Sequence, residues 1–259
     1  MKAKECVNYI SKWLSDYLTQ SKLKGYVVGV SGGIDSAVTS TLVAQTGFPV
    51  LCLELPILQE QHQIVRAKEH IAWLENRFEN AQSLSVDLSS VFQNFEQVVT
   101  LDDNTDSHFI SLVNAKARLR MTTLYYYAQL YSFLVVGTGN KVEDFGIGFF
   151  TKYGDGGVDI SPIADLLKSE VYTLGDHLGI VDSIMSAPPT DGLWNDDRTD
   201  QEQIGATYDE LEWAMSFLGE AENLSDRQQF VLKKFHQLNA VNKHKMHPIP
   251  VCVIPNNLK

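Results

Sequence analysis

Tyr26-Val27-Val28-Gly29-Val30-Ser31-Gly32-Gly33-Ile34-Asp35-Ser36 joins a short β-branched run to a glycine turn. Behind it, Ala37 to Gln45 has helical character and Gly47 supplies a stop. The reading is strand, loop, helix. In a parallel α/β sheet such a loop lies at the carboxyl end of its strand, where this architecture binds ligands. Gly32 and Gly33 permit positive φ and let the backbone approach a phosphate, while the amides that follow and the helix dipole favour an anion. Ser31 and Ser36 add hydroxyl donors, and Asp35 is placed to hold a magnesium ion against the phosphates. An ordinary Gly-Gly turn with a helix cap would share two or three of these residues; the whole hexapeptide after a strand points to pyrophosphate. Neither the GxGxxG fingerprint nor a Walker A lysine is present, so hydride transfer and P-loop chemistry are disfavoured.

The unit repeats outward from this junction. Phe48 to Leu55 is a second apolar strand ended by Pro56, and Gln61 to Asn76 a helix with Ile64, Ala67, Ile71 and Leu74 on one face. Ser83 to Asp87 reads as a third strand, Phe109 to Leu130 as a long helix, and Ser132 to Gly137 as a fourth strand followed by Thr138-Gly139-Asn140. Ahead of the first strand, Val7, Ile10, Leu14, Tyr17 and Leu18 fall at helical spacing and belong to plain packing. Segment 100 to 107 reads as a mobile surface loop, and from Lys168 onward the pattern is mostly helical, with breaks at Pro188-Pro189 and around Asn195 to Asp200. Strands alternating with helices imply crossover connections. The expected fold is α/β, a doubly wound, Rossmann-like parallel sheet flanked by helices, with a helical C-terminal part and a single unit over 1–259.

Charge narrows the partners. Lys and Arg number 21 against 32 Asp and Glu, a net charge of -11, which argues against a general affinity for nucleic acid or anionic membrane. The N-terminus lacks the apolar core of a signal peptide and no apolar run is long enough to span a membrane, so a cytoplasmic location is expected. Cys6, Cys52 and Cys252 are far apart and form no CxxC pair, which suggests inert thiols rather than disulfides or a zinc site.

A second stretch is more selective: Gly137-Thr138-Gly139-Asn140-Lys141-Val142-Glu143, then Gly148-Phe149-Phe150-Thr151-Lys152-Tyr153-Gly154-Asp155-Gly156-Gly157-Val158-Asp159. Glu143 follows a strand end, where a second carboxylate can join Asp35 around Mg2+; a solvated helix-start carboxylate is the bland alternative. Lys152 and Lys168 could neutralise the charge of departing pyrophosphate, though isolated lysines are more often surface groups. The glycines around Asp155 suit a lid that excludes water. Lys116, Arg118 and Arg120 form a basic cluster whose bland reading is a solvated helix face.

The hexapeptide at Ser31 to Ser36 resembles the mark of the N-type ATP pyrophosphatases, of the adenine nucleotide alpha hydrolase-like fold, which includes GMP synthetase, asparagine synthetase, tRNA thiolases and NAD synthetase. The second stretch resembles the NAD synthetase signature, and the likeness continues through Pro162, Lys168, Pro189-Thr190, Thr207-Tyr208-Asp209-Glu210 and His244-Lys245. This resemblance implies an ammonia-dependent ligase. ATP would give AMP and pyrophosphate, the nicotinate carboxylate of deamido-NAD would pass through an acyl-adenylate, and ammonia would release NAD. It also implies roles by residue: Ser31, Gly32, Gly33, Asp35, Ser36, Arg118, Thr138, Lys168 and Thr190 at ATP, and Asp35 and Glu143 at Mg2+. Tyr125, Lys152, Asp159, His244 and Lys245 fall to deamido-NAD, and Asp155, with Lys168 and Lys152, to catalysis, Asp155 binding ammonium and accepting a proton.

A homodimer is expected as well. The 109–130 helix carries Leu112, Leu119, Leu124, Tyr126, Tyr127 and Leu130 on more than one face, which calls for cover by a two-fold partner or by the chain's own C-terminal helices. Glutamine-dependent relatives carry an additional amidohydrolase domain, and nothing ahead of Met1 could supply one, so ammonia, free or delivered by a separate protein, is the expected donor. One departure stands out: relatives often have arginine before the Leu-Pro that ends the second strand, where this chain has Glu54. Two rivals remain. Another pyrophosphatase-type ligase such as a tRNA thiolase would want a basic surface and reactive cysteines, and a non-catalytic nucleotide-binding module would not need Asp35, Glu143, Lys168 and Asp155 together.

Overall fold

A computed structural model describes residues 1–99, 105–190, 199–219 and 223–259. Four parallel strands form its sheet. β1 (Gly25–Gly29) is central, with β2 (Val50–Glu54) on one side and β4 (Phe133–Val136) on the other, and β3 (Ala81–Ser85) lies outside β2, giving the order β3-β2-β1-β4. Val27 is level with Leu51 and Val135. Tyr26, Val27 and Val28 are fully buried because helices cover both faces of the sheet, which is why this strand reads as an unbroken apolar run rather than an alternation.

The pleat sends alternate side chains to opposite layers. Tyr26 and Val28 pack with Leu14 and Leu18 of α1 (Ala3–Ser21), Val38 and Leu42 of α2 (Ile34–Ala44), Leu74 of α3 (Gln61–Arg77) and Leu174 of α6 (Lys168–Leu178). Val27, Leu53 and Val135 pack with Phe92 of α4 (Ser89–Val99) and Leu112 of α5 (Asp106–Tyr131). The sheet is therefore doubly wound, as expected. After short α7 (Asp182–Met185) and α8 (Asp200–Ile204), α9 (Tyr208–Ser216) and α10 (Asp226–Met246) build a third cluster around Leu211, Val231 and Phe235, against a π-helical turn at Val142–Ile147.

Two details differ from the sequence reading. β3 starts and ends two residues earlier than Ser83 to Asp87; it is a polar edge strand with Ala81 alone buried, so period-two patterning carries little information there. Helix α5 begins at Asp106, because Thr105 caps it by accepting from the His108 amide at 3.3 Å. Residues 105–107 are thus cap and first turn, while 100–104 lie outside the described residues, as does most of the expected break at 195–200. No helix among the described residues is long and apolar enough to cross a membrane.

Candidate active site

A cleft opens at the carboxyl ends of the strands, lined by the loop after β1, the ends of β2 and β4, α3, α5 and the segment at Thr190. The loop after β1 is held from within. Ser36 Oγ donates to the Gly33 carbonyl at 2.9 Å and accepts from the Ser31 amide at 3.2 Å, while Ser31 Oγ accepts from the Gly33 amide at 3.3 Å. Gly32 has φ of 83°, and a Cβ there would meet Ala67 N and Gln63 O of α3 at 2.9 Å, so glycine is required twice over. Helix α2 begins without a side-chain cap, leaving its positive end able to receive an anion.

Beside the loop sits a buried cation between two carboxylates. Lys168 Nζ, on the first turn of α6, donates to Asp35 Oδ2 at 2.5 Å and to Glu143 Oε1 at 3.0 Å, with only 4% of its side chain exposed. Burial alone would lower the ammonium pKa, but the two carboxylates outweigh it and the net shift is upward, so Lys168 is charged. Burial pushes Asp35 the other way, raising its pKa against the pull of Lys168.

Asn140 fixes this centre, donating from Nδ2 to Asp35 Oδ1 at 3.1 Å and accepting the Val142 and Glu143 amides at Oδ1. The Tyr208 hydroxyl lies 2.6 Å from Glu143 Oε1 and 3.0 Å from Asp200 Oδ2. Asp35 and Glu143 converge on one cationic atom and offer oxygen donors, which suits Mg2+ sharing its shell with substrate phosphates. No group of three or more His, Cys, Asp or Glu able to hold a metal occurs among the described residues, so the phosphates would have to complete such a shell.

Asp155 lies in the same cleft on the glycine-rich loop. Its Oδ1 accepts the Thr151 amide at 2.9 Å, Gly154 N donates to Thr151 O at 2.9 Å, and Tyr153 takes φ of 60°, a left-handed conformation uncommon outside glycine. Although the residue is open to the cleft, the protein packed around its carboxyl raises its pKa to about 6, opposed by the Thr151 amide. Neighbouring Asp144 is raised further, to about 8, by burial and by Glu143, Asp155 and Asp35. Asp35, Asp144 and Asp155 are thus all held above the usual carboxylate range.

The fold gathers most of the sequence candidates into three groups. Ser31, Gly32, Gly33, Asp35, Ser36, Thr138, Glu143, Asp155, Lys168 and Thr190 line the cleft. Lys152, His244 and Lys245 meet elsewhere: Lys152 Nζ donates to His244 O at 2.8 Å and Lys245 Nζ to Phe150 O at 2.6 Å, tying α10 to the glycine-rich loop. Tyr125 donates to Asp159 Oδ1 at 2.9 Å, and Asp159 Oδ2 accepts the Val135 amide.

Arg118, expected at ATP, is not among the residues that line the cleft. It is exposed and leans on the Lys152 carbonyl at 3.4 Å, while Arg120, two residues on and so about 200° around the helix, lines the cleft and donates to Leu55 O at 2.9 Å. Lys116 is buried near the Phe92 ring, so the basic cluster is not a solvated face. Sequence reasoning gave no role to Asn140, Tyr208 or Asp200; the first two lie inside the quoted motifs, which was the available signal.

Residues 6–248 match the family model for NAD synthase. The chain is 36% identical to the NH3-dependent NAD+ synthetase of Mesoplasma florum over 247 residues, 95% of each chain. Among solved structures it resembles an NMN synthetase from Francisella tularensis, with a TM-score of 0.83, 32% identity and 99% of each chain covered. An NH3-dependent NAD synthetase from Campylobacter jejuni shares the fold at a TM-score of 0.78 and 24% identity, covering 98% of this chain and all of that one.

Proposed function

Since the chain belongs to the NAD synthase family, we propose that it amidates the nicotinate carboxylate of deamido-NAD with ammonia, cleaving ATP to AMP and pyrophosphate. The observation that carries this reading is one cleft holding a phosphate loop, a lysine clamped by two carboxylates, and a third carboxylate with a raised pKa.

In the first step a carboxylate oxygen of the substrate attacks the α-phosphorus of ATP, and pyrophosphate departs. The amides at the start of α2 and the Lys168 ammonium receive the charge that develops on it. Thr138 and Thr190 sit where they can contact the nucleotide. Asp35 and Glu143 are the residues that would hold Mg2+, which when bound neutralises phosphate charge.

In the second step ammonia attacks the acyl carbon, AMP leaves, and a proton must be removed. Asp155, ionised at neutral pH with its pKa near 6, binds ammonium and takes that proton. Tyr125, Lys152, Asp159, His244 and Lys245 form the deamido-NAD side, with Arg118 beside Lys152. The whole chain acts as one NAD synthetase domain and works in the cytoplasm as a homodimer. Support for pairing comes from α5, where Tyr126 is 62% and Leu130 57% exposed while α10 packs on α9 and the π-helical turn instead.

Likeness to an NMN synthetase favours a second reading, in which the mononucleotide is the acid amidated. The chemistry at the carboxylate is the same. The test supplies ATP and Mg2+ with deamido-NAD or nicotinic acid mononucleotide, and ammonium or glutamine, and follows amide, AMP and pyrophosphate. NAD formed with ammonium is the expected result. A higher kcat/KM for the mononucleotide would install the second reading, and no amide from either acid would sink both.

A further inference from the structure

Glu54 ends β2, and the alternation Val50, Cys52, Glu54 puts its side chain on the face covered by α2 and α3. It is 4% exposed, lines the cleft beside Gly32, Gln63 and Ala67, and its Oε1 has no hydrogen-bond partner among the described residues. Buried polar atoms without partners are rare in folded proteins. A carboxylate oxygen enclosed in this way needs a donor. Its unpartnered oxygen is an acceptor, so it suits a hydroxyl or amine and is a poor partner for a phosphate, which presents acceptors of its own.

Position selects the hydroxyl. Gly29 is level with Leu53, so Glu54 stands beside Val30, one strand and about 4.8 Å away from the chain that enters the phosphate loop. In doubly wound sheets the loop after the first strand takes phosphates, and a carboxylate at the end of the adjacent strand, some twenty residues on, takes the ribose hydroxyls. Glu54 follows Gly33 by such a spacing, and β2 is the neighbour of β1. The phosphate loop is of another type, but phosphate and sugar keep their separation whatever the loop. We infer that Glu54 binds the ribose of ATP, accepting hydrogen bonds from its 2′- and 3′-hydroxyls and selecting ribonucleotide over deoxyribonucleotide. The inference rests on ATP being the nucleotide of the proposed reaction. It also gives the acidic residue at the end of β2 a purpose.

The test compares ATP with 2′-deoxy-ATP and 3′-deoxy-ATP on wild type, Glu54→Leu and Glu54→Gln, by isothermal titration for binding and by pyrophosphate release for turnover. Wild type should favour ATP over each deoxynucleotide by about 10- to 100-fold, the worth of a hydrogen bond to a charged group. In Glu54→Leu that preference should fall close to unity, through weaker ATP binding rather than stronger deoxynucleotide binding. Without ligand its melting temperature should match or exceed that of wild type, because no protein partner is lost, and the rise on adding ATP should shrink. A wild-type preference retained in Glu54→Leu, or in Glu54→Gln if the leucine variant fails to fold, overturns the inference. So does an equal loss for all three nucleotides, the pattern of a contact to adenine. Since titration needs no turnover, absence of NAD formation would count against the proposed reaction and leave this comparison standing.

Discussion

Lys168 holds Asp35 and Glu143 together, and its replacement by methionine keeps the buried stem while removing the charge. Losing one partner of a fully buried ion pair costs about 3–5 kcal/mol. Here the Asp35 and Glu143 side chains retain 17% and 16% of their exposure and so keep some water. We therefore expect Lys168→Met to lower stability at pH 8 by about 2–4 kcal/mol, somewhat less than for a fully buried pair. The pH dependence follows from the charges. Without the ammonium the two carboxylates repel one another, and their folded pKa values rise above the unfolded ones. A carboxylate raised in this way penalises folding at pH above its folded pKa, and the penalty fades as pH falls toward the unfolded value. Urea titrations of both proteins at pH 8 and pH 5 should thus show the gap narrowing on acidification. Millimolar Mg2+ should restore the variant more than it helps wild type, if Asp35 and Glu143 take a divalent ion. A gap under about 1 kcal/mol at pH 8, the worth of an exposed pair, or a gap unchanged at pH 5, would refute the buried-cation account.

Asp155→Asn should slow amide formation by about 10²–10⁴-fold while pyrophosphate release continues, and should abolish a rise in wild-type rate through pH 6; equal loss in both steps would make Asp155 a loop-ordering residue. His70, fully buried with Nε2 2.9 Å from Ser40 Oγ, has its pKa lowered by burial to about 4. Its contribution to stability is present above pH 6.5 and lost as pH falls toward 4, about 3 kcal/mol in all, so His70→Asn should flatten the acid limb of the urea midpoint; parallel limbs would exclude His70 as a cause. Sedimentation at micromolar concentration should show a dimer, and mixing a Tyr125 variant with an Asp35 variant should restore activity if one site draws on both chains; an active monomer would end that proposal.

Much of this was legible in the chain because the decisive signals are local. A β-branched run, a glycine turn and a helix start lie within eleven residues of one another, and covalent neighbours cannot avoid meeting, so the phosphate loop and its place at a strand's end follow from Tyr26 to Ser36. Buried strands also announce themselves, which is why β1 and β4 were readable and the polar edge strand β3 was displaced by two residues. Other features depended on side-chain direction. Arg118 and Arg120 look equivalent on paper, but their angular separation on α5 sends one to solvent and the other into the cleft. Lys168 is 133 positions from Asp35 and 25 from Glu143, and nothing local says that its ammonium fills the gap between them. Asn140, Tyr208 and Asp200 gained roles in the same way. The sequence by itself determined the doubly wound sheet, the anion-binding turn and the family, because these rest on patterns of neighbouring residues. Only the tertiary structure decided which charges share a buried site and which acceptor, at Glu54, is left without a donor, because burial and partnership are set by elements that the chain brings together from far apart.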